Sequence, residues 1–118
     1  MSVKLECVID GVEDLRMPRV YRVHATCGEV KLDFELHNDI IPKAMLTGKN
    51  MRVEVSSEKE SCLQHYFCGQ GYVVSVGRVG ENQRVVISLH GFLVVLKTPS
   101  QLGLNPMDQV FVGADFEQ

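Results

Sequence analysis

RVVISLHGFLVVLK, residues Arg84 to Lys97, is the stretch from which the fold class follows. β-branched and aromatic residues at this density favour strand over helix. The central His90-Gly91 step predicts the two-residue turn of a β-hairpin, because such turns need positive φ, which Gly adopts freely and His tolerates. The alternative is one long strand kinked by a bulge, which leaves the same side chains on the same two faces.

The register of this hairpin predicts two different faces. The core face holds the opposed pairs Leu89 with Phe92, Ile87 with Val94, and Val85 with Leu96. The outward face carries Val86, Leu93 and Val95 next to one another. A small closed sheet buries only one side, so a contiguous outward apolar patch predicts a partner that covers it. The alternative is that these are ordinary strand formers half shielded by a neighbouring loop.

Length and charge restrict the class of protein. At 118 residues the chain is long enough for one domain, residues 1–118, with a single core. The net charge is −3, from 12 basic and 15 acidic residues. Nucleic-acid binding would therefore need a local basic patch, for which Arg16, Arg19 and Arg22 are the best candidates.

The N-terminal segment has no long apolar stretch with a charged leader, which predicts an intracellular, cytoplasmic protein. Four cysteines, Cys7, Cys27, Cys62 and Cys68, are scattered without a Cys-x-x-Cys pair. In an intracellular protein we expect reduced thiols, with Cys7 as a small core residue. A Cys62–Cys68 bridge stays open, since hyperthermophilic archaea do form intracellular disulfides.

Period-two alternation predicts most of the other strands. They fall at 3–9, 21–25, 30–36, 51–55, 66–79 and 110–112. Segments 10–18 and 57–65 are predicted as loops, and Pro42 should open a short helical turn over Lys43 to Leu46. About eight mostly antiparallel strands with at most one short helical turn predict an all-β, OB-type small barrel. An immunoglobulin-like sandwich is the competitor, weakened by the absence of Trp and of a plausible cross-sheet Cys pair.

Cys62, His65 and Cys68 form a Cys-x-x-His-x-x-Cys motif with zinc-compatible atoms and spacing. A structural zinc site needs four ligands, and the usual signature is two paired motifs rather than one. The fourth ligand would have to come from His24, His37, His90 or Cys27. We therefore predict no metal and no cofactor, with His65 as a surface residue between two thiols.

Catalytic motifs do not emerge from the sequence. No Ser lies in a nucleophile elbow, and the segment CGQGYVV lacks the spacing and following helix of a phosphate-binding loop. Asp33 and Glu35 alternate on one strand as solvated residues do. Small barrels often stack aromatic side chains on single-stranded nucleic acid, and Tyr21, Tyr66, Phe67 and Tyr72 are available for this. A free-standing OB-fold binder of single-stranded nucleic acid is thus one candidate function.

The segment Phe67 to Thr98, FCGQGYVVSVGRVGENQRVVISLHGFLVVLKT, resembles subunit eight of archaeal and eukaryotic RNA polymerases. The family's G-x-V-x-x-V strand and glycine-tipped hairpin are matched by Gly71, Val73, Val76 and Gly91. Eukaryotic members carry a long acidic insertion before the fifth strand, whereas Ser57 to His65 is short, as in the archaeal branch. The chain also lacks the basic, leucine-rich C-terminal end of the longer relatives.

This resemblance implies an OB-type barrel without an active site of its own. It further implies an accessory subunit of DNA-directed RNA polymerase that docks on the largest subunit, touches nucleic acid at most indirectly and meets no membrane. Such a partner would cover the outward patch, so we expect the interface at Val86, Leu93 and Val95.

Overall fold

A computed structural model describes residues 2–46 and 48–117 of the chain. It is an antiparallel barrel closed in the order β1-β2-β3-β7-β6-β5-β8-β4, which confirms the predicted all-β barrel of about eight strands. The strands are β1 (Ser2–Asp14), β2 (Val20–Cys27), β3 (Val30–His37), β4 (Asn50–Ser56), β5 (Phe67–Val79), β6 (Asn82–Leu89), β7 (Phe92–Thr98) and β8 (Gln109–Glu117). Among the described residues, no helix has the length and apolar character needed to cross a membrane.

The hairpin of β6 and β7 forms as predicted. His90 and Gly91 have φ of 54° and 98°, so both central turn residues adopt the left-handed region. Leu89 lies opposite Phe92, and every pair of the predicted register follows from that first one. The kinked-strand alternative is therefore wrong.

The inward side chains of all eight strands form one core. Phe34 is fully buried near its centre and meets Phe67 edge to face, with ring centroids 5.8 Å apart. Tyr21 is also buried, and its hydroxyl donates a hydrogen bond to the carbonyl of Ile41. Burial raises the pKa of Tyr21 to about 12. The prediction that Tyr21 is available for stacking on nucleic acid is wrong, because its ring belongs to the core.

Two short helical segments interrupt the strands. The predicted turn after Pro42 is a 3-10 helix, Lys43–Leu46, and its last residue is buried. A four-residue helix, α1 (Lys59–Cys62), lies in the segment 57–65, where the sequence predicts a loop. It packs on the outside of the barrel against β4, β8 and β5.

The first strand is longer than predicted. β1 continues to Asp14, so only the second half of the expected loop 10–18 is a loop. The register with β2 shifts between Ile9 and Gly11, and a bulge of this kind bends the strand strongly. Because of this bend, residues 2–8 pair with β4 and residues 8–14 pair with β2.

The cysteines form two disulfides, Cys7–Cys27 and Cys62–Cys68, so the prediction of reduced thiols is wrong. The β1–β2 pairing brings Cys7 and Cys27 to a Cα separation of 4.1 Å although 20 positions separate them in sequence. Neither cysteine could be paired from the sequence, because their contact depends on a register that the bulge at Ile9/Gly11 sets. The bridge Cys62–Cys68 is the one that the sequence leaves open, and it joins α1 to the start of β5.

Gly71 lies where β5 and β6 approach too closely for a side chain. A Cβ at this position would lie 1.9 Å from the carbonyl oxygen of Ser88 and 2.9 Å from Cδ2 of Leu89. Gly77, on the same strand, has no heavy atom within 4 Å of the corresponding position. The two glycines therefore provide a matched pair for testing the close approach.

We expect Gly71→Ala to lower the free energy of unfolding by about 3 kcal/mol, because the methyl group meets backbone that must shift. Gly77→Ala should stay within about 1 kcal/mol of the parent protein, since the added group meets open space. Urea denaturation followed by circular dichroism measures both values. Equal losses in the two variants would contradict the close approach of β5 and β6.

Candidate docking face

The three predicted interface residues lie together on the outer face of β6 and β7. Val86 is directly opposite Val95, and Leu93 lies opposite Ser88, two residues from Val95 on the same face. Val86 is only 7% exposed, whereas Leu93 and Val95 are partly exposed. Val86 therefore fills the middle of the patch and offers little surface of its own.

Two exposed apolar side chains on β5 extend this patch: Tyr72, which the sequence predicts only as an aromatic for stacking on nucleic acid, and Val74, which it does not predict. Tyr72 is 50% exposed and Val74 is 52% exposed, while Val73 between them is fully buried. The β5–β6 register shifts between Val73 and Ser75, and this bulge leaves Val74 outside the barrel. The adjacent valines 73 and 74 break the period-two pattern, which is the one local signal of the bulge. We call Tyr72, Val74, Val86, Leu93 and Val95 the outer apolar patch.

Glu35 lies beside this patch, at the end of the backbone pairing between β3 and β7. Backbone pairing between β3 and β7 stops at Phe34 and Val94. Beyond that pair, Oε1 of Glu35 accepts the backbone N–H of Leu93 at 2.9 Å, and Oε2 accepts Nη2 of Arg22 at 2.9 Å. The carboxylate thus stabilises the strand edge where main-chain bonds end, so Glu35 has a structural role.

The predicted basic patch is largely neutralised. Arg19 pairs with Asp39, and Arg22 pairs with Glu35 and, at 3.5 Å, with Glu13. The hydrogen bond from Arg19 lowers the pKa of Asp39, which keeps that pair ionised. Only Arg16 of the three predicted cations is outside the ion pairs of the described residues.

The exposed tyrosines lie far from that arginine cluster. Tyr72 is on β5, and three strands separate β5 from β2 in either direction around the barrel. Tyr66 is 65% exposed just before β5, whereas Phe67 packs against the core. A single strand of nucleic acid would have to wrap half the barrel to use both the arginines and the tyrosines.

His65 lies between two carboxylates, one from β4 and one from β8. Its Nε2 lies 2.8 Å from Oε1 of Glu54, and its Nδ1 lies 2.8 Å from Oδ2 of Asp115. The ring packs on Gly113, where a Cβ would be 2.4 Å from the imidazole. Ser61 also donates a hydrogen bond to Glu54, at 2.8 Å. This cluster fastens α1 to β4 and β8.

The two carboxylates favour the imidazolium form of His65. Burial lowers the pKa of His65, but the hydrogen bonds with Glu54 and Asp115 outweigh it and the net shift is upward. For Glu54, burial raises the pKa, while the bonds with His65 and Ser61 lower it, and the net shift is downward. An imidazolium donates from both nitrogens, which satisfies both carboxylates at once.

The candidate zinc ligands are all occupied by other partners. Cys62 and Cys68 are bonded to each other, and both nitrogens of His65 face carboxylates. Within residues 2–46 and 48–117, no group of three or more His, Cys, Asp or Glu side chains could hold a metal ion. The motif spacing instead closes a short loop, six positions from cysteine to cysteine, beside β8.

We expect His65→Gln to lower the free energy of unfolding by about 2 kcal/mol near pH 6, because charged hydrogen bonds to two carboxylates are lost. The pKa of His65 is raised on folding, so its contribution is complete below the unfolded value of about 6.5 and is lost as pH rises through the folded value. The loss in the variant should therefore shrink as pH rises through the raised folded value. Denaturant titrations between pH 5 and pH 9 measure it.

His24→Gln is the matched control for this pH dependence. His24 also lies between two carboxylates, Asp33 at 2.6 Å and Glu13 at 2.9 Å, but its side chain is 41% exposed. Solvent screening should reduce its effect to less than half that of His65. A pH-independent loss in His65→Gln, or equal losses in both variants, would contradict the buried imidazolium.

Comparison with known proteins gives the family. A family model for RpbG, a subunit of DNA-directed RNA polymerase, matches residues 2–114. The DNA-directed RNA polymerase subunit Rpo8 of Saccharolobus solfataricus is 25% identical over 120 residues, covering 93% of this chain and 89% of that protein. A structure of the cytoplasmic molybdate-binding protein ModG aligns at 14% identity over 98% of this chain and 96% of its own, with a TM-score of 0.40. That structural likeness is too distant to carry over fold or ligand.

Proposed function

This chain belongs to the RpbG family of DNA-directed RNA polymerase subunits, and from this membership we propose that it is a non-catalytic accessory subunit docked on the polymerase's largest subunit. The polymerase complex is then its partner in the cell, and the archaeal relative favours a cytoplasmic location. In this role the protein contributes to the assembled polymerase and catalyses no reaction itself.

The outer apolar patch is the observation that supports docking. Val74 and Tyr72 are about half exposed, and Leu93 and Val95 are partly exposed next to the covered Val86. These side chains lie on three adjacent strands and so form a continuous surface. Contiguous apolar surface of this kind is typical of protein–protein interfaces, where aromatic and aliphatic side chains form the core.

The polar clusters support a non-catalytic role. A general base needs a free acceptor within reach of a substrate proton. Both nitrogens of His65 face carboxylates, and so do both nitrogens of His24. Ser61 donates its hydroxyl hydrogen to Glu54. These groups hold the barrel together, and in that arrangement they offer no activated nucleophile.

We expect Leu93→Asp to reduce co-purification of the protein with the largest polymerase subunit by at least about tenfold, since it places a charge in an apolar interface at a cost of more than about 1.4 kcal/mol. Leu63→Asp is the matched control. Leu63 is 60% exposed and directly follows α1, which packs on β4 and β8 across the barrel from β7. Quantitative pull-down from the native organism measures both variants.

Leu93→Asp also introduces a charge near Glu35, so its melting temperature should be measured beside the pull-down. Val74→Asp provides a second variant at a more exposed position, where folding is not at risk. Full co-purification of both folded variants would overturn the interface. Absence of the parent protein from purified polymerase would overturn the subunit assignment itself.

A further inference from the structure

Three basic side chains form a row across the outer face of β6, β7 and β3. Arg84 is directly opposite Lys97, and Lys97 is directly opposite Lys31. Among the residues that the structure describes, no carboxylate pairs with any of the three. Like charges directly opposite each other on neighbouring strands destabilise a sheet. Lys31 donates a hydrogen bond to the Thr26 hydroxyl at 3.0 Å, and repulsion among the three cations would be relieved by an anionic partner.

The positions next to the row on β2 and β3 carry paired opposite charges, and the row differs from them. Asp33 and Glu35 lie two and four residues after Lys31 on β3. Asp33 pairs with His24 of β2, and Glu35 pairs with Arg22 of β2. In a chain of net charge −3, carboxylates are in excess. Three adjacent cations without a carboxylate thus mark this position as a place for an external anion.

An open strand edge lies beside the row. The pairing of β5 with β8 ends at Tyr72 and Gln109, and the last backbone bonds there join Val73 to residues 107 and 108. In the described part of the chain, residues 75–79 of β5 pair only with β6, and all but Val76 are exposed. Unpaired N–H and C=O groups along such an edge are a template for an added strand.

Gly77 connects the open edge to the basic row. It lies directly opposite Arg84, and a Cβ there would meet nothing within 4 Å. A strand added to β5 would lie about 10 Å from β6, two strand spacings away. A Glu side chain opposite Gly77 can span that distance together with the Arg84 side chain, because Gly77 places no side chain between them.

We propose that the open edge of β5 binds an extended acidic segment of the partner protein, added as a strand with a carboxylate opposite Gly77 directed toward Arg84, the near end of the basic row. The identification of that partner as the polymerase rests on the proposed function. The outer apolar patch adjoins the row, so alternate apolar residues of the same segment would meet Val74. Carboxylates and aliphatic side chains on one strand fit both parts of this surface.

The surroundings of the row favour a peptide over nucleic acid. Asp33 lies opposite Val95, two residues from Lys97, and Asp10 accepts a hydrogen bond from Thr26, the neighbour of Lys31 across β2 and β3. A phosphate backbone longer than the row would run into these carboxylates. The row spans only about 10 Å, two strand spacings, so it offers a phosphate backbone only a short contact.

The test uses the full chain and an eight-residue peptide in which one face alternates Glu with Val and the other face carries only Thr. Its matched control is the same peptide with every Glu replaced by Gln. Fluorescence anisotropy at low salt should show at least about tenfold tighter binding of the Glu peptide, as expected of several weak exposed ion pairs. The difference should vanish near 0.5 M salt. Hydrogen exchange should slow at residues 75–79 when the Glu peptide binds.

Arg84→Gln combined with Lys97→Gln should abolish the preference for the Glu peptide. Lys49→Gln combined with Lys59→Gln is the control, because these lysines lie near β4 and α1 across the barrel. Lys97→Gln alone should leave Tm unchanged or raise it, since it relieves repulsion from both neighbours. Equal binding of the two peptides, no protection of residues 75–79, or a lowered Tm would each overturn the proposal.

An oligouridylate of twelve nucleotides tests whether the anionic partner is RNA and not an acidic peptide. Tighter binding of this RNA than of the Glu peptide would overturn the proposal in favour of nucleic acid. Failure of the peptide assay while the protein still co-purifies with the polymerase overturns only the acidic segment. Success of the peptide assay without co-purification overturns only the subunit assignment.

Discussion

The barrel depends on the short seam between β3 and β7. Residues Lys31–Phe34 and Val94–Lys97 are the only pairs that join the β1–β3 meander to the β5–β7 strands on this side, among the described residues. On the inner side, Leu32 and Phe34 of this paired segment are buried in the core. On the outer side, the same register places Lys31 opposite Lys97. These four residue pairs thus place side chains both in the core and in the basic row.

Local signals predict the elements well, and long-range register explains what they miss. The turn at His90 and Gly91 and the 3-10 helix after Pro42 depend on neighbouring residues alone, and both predictions are confirmed. The continuation of β1 through its bulge and the bridge between Cys7 and Cys27 depend on strand partners far along the chain. A single sequence carries no direct record of those partners.

The same distinction holds for the candidate site. Val86, Leu93 and Val95 can be predicted together because they belong to one hairpin, whereas the bulge that exposes Val74 lies on another strand. The sequence predicts His65 only as a surface residue, because its partners Glu54 and Asp115 come from β4 and β8. In the proposed function, the outer apolar patch on β5, β6 and β7 meets the partner, while the His65 cluster fastens α1 to β4 and β8.

The position of β8 has a consequence for biosynthesis. β8 joins β4 to β5, and it follows the other seven strands along the chain. Until the ribosome has made it, two strand edges of the nascent polypeptide stay open, and such edges pair readily with other chains. Closure must therefore follow translation of nearly the whole domain, and a chaperone or early delivery to the assembling complex would protect the unfinished protein in that interval.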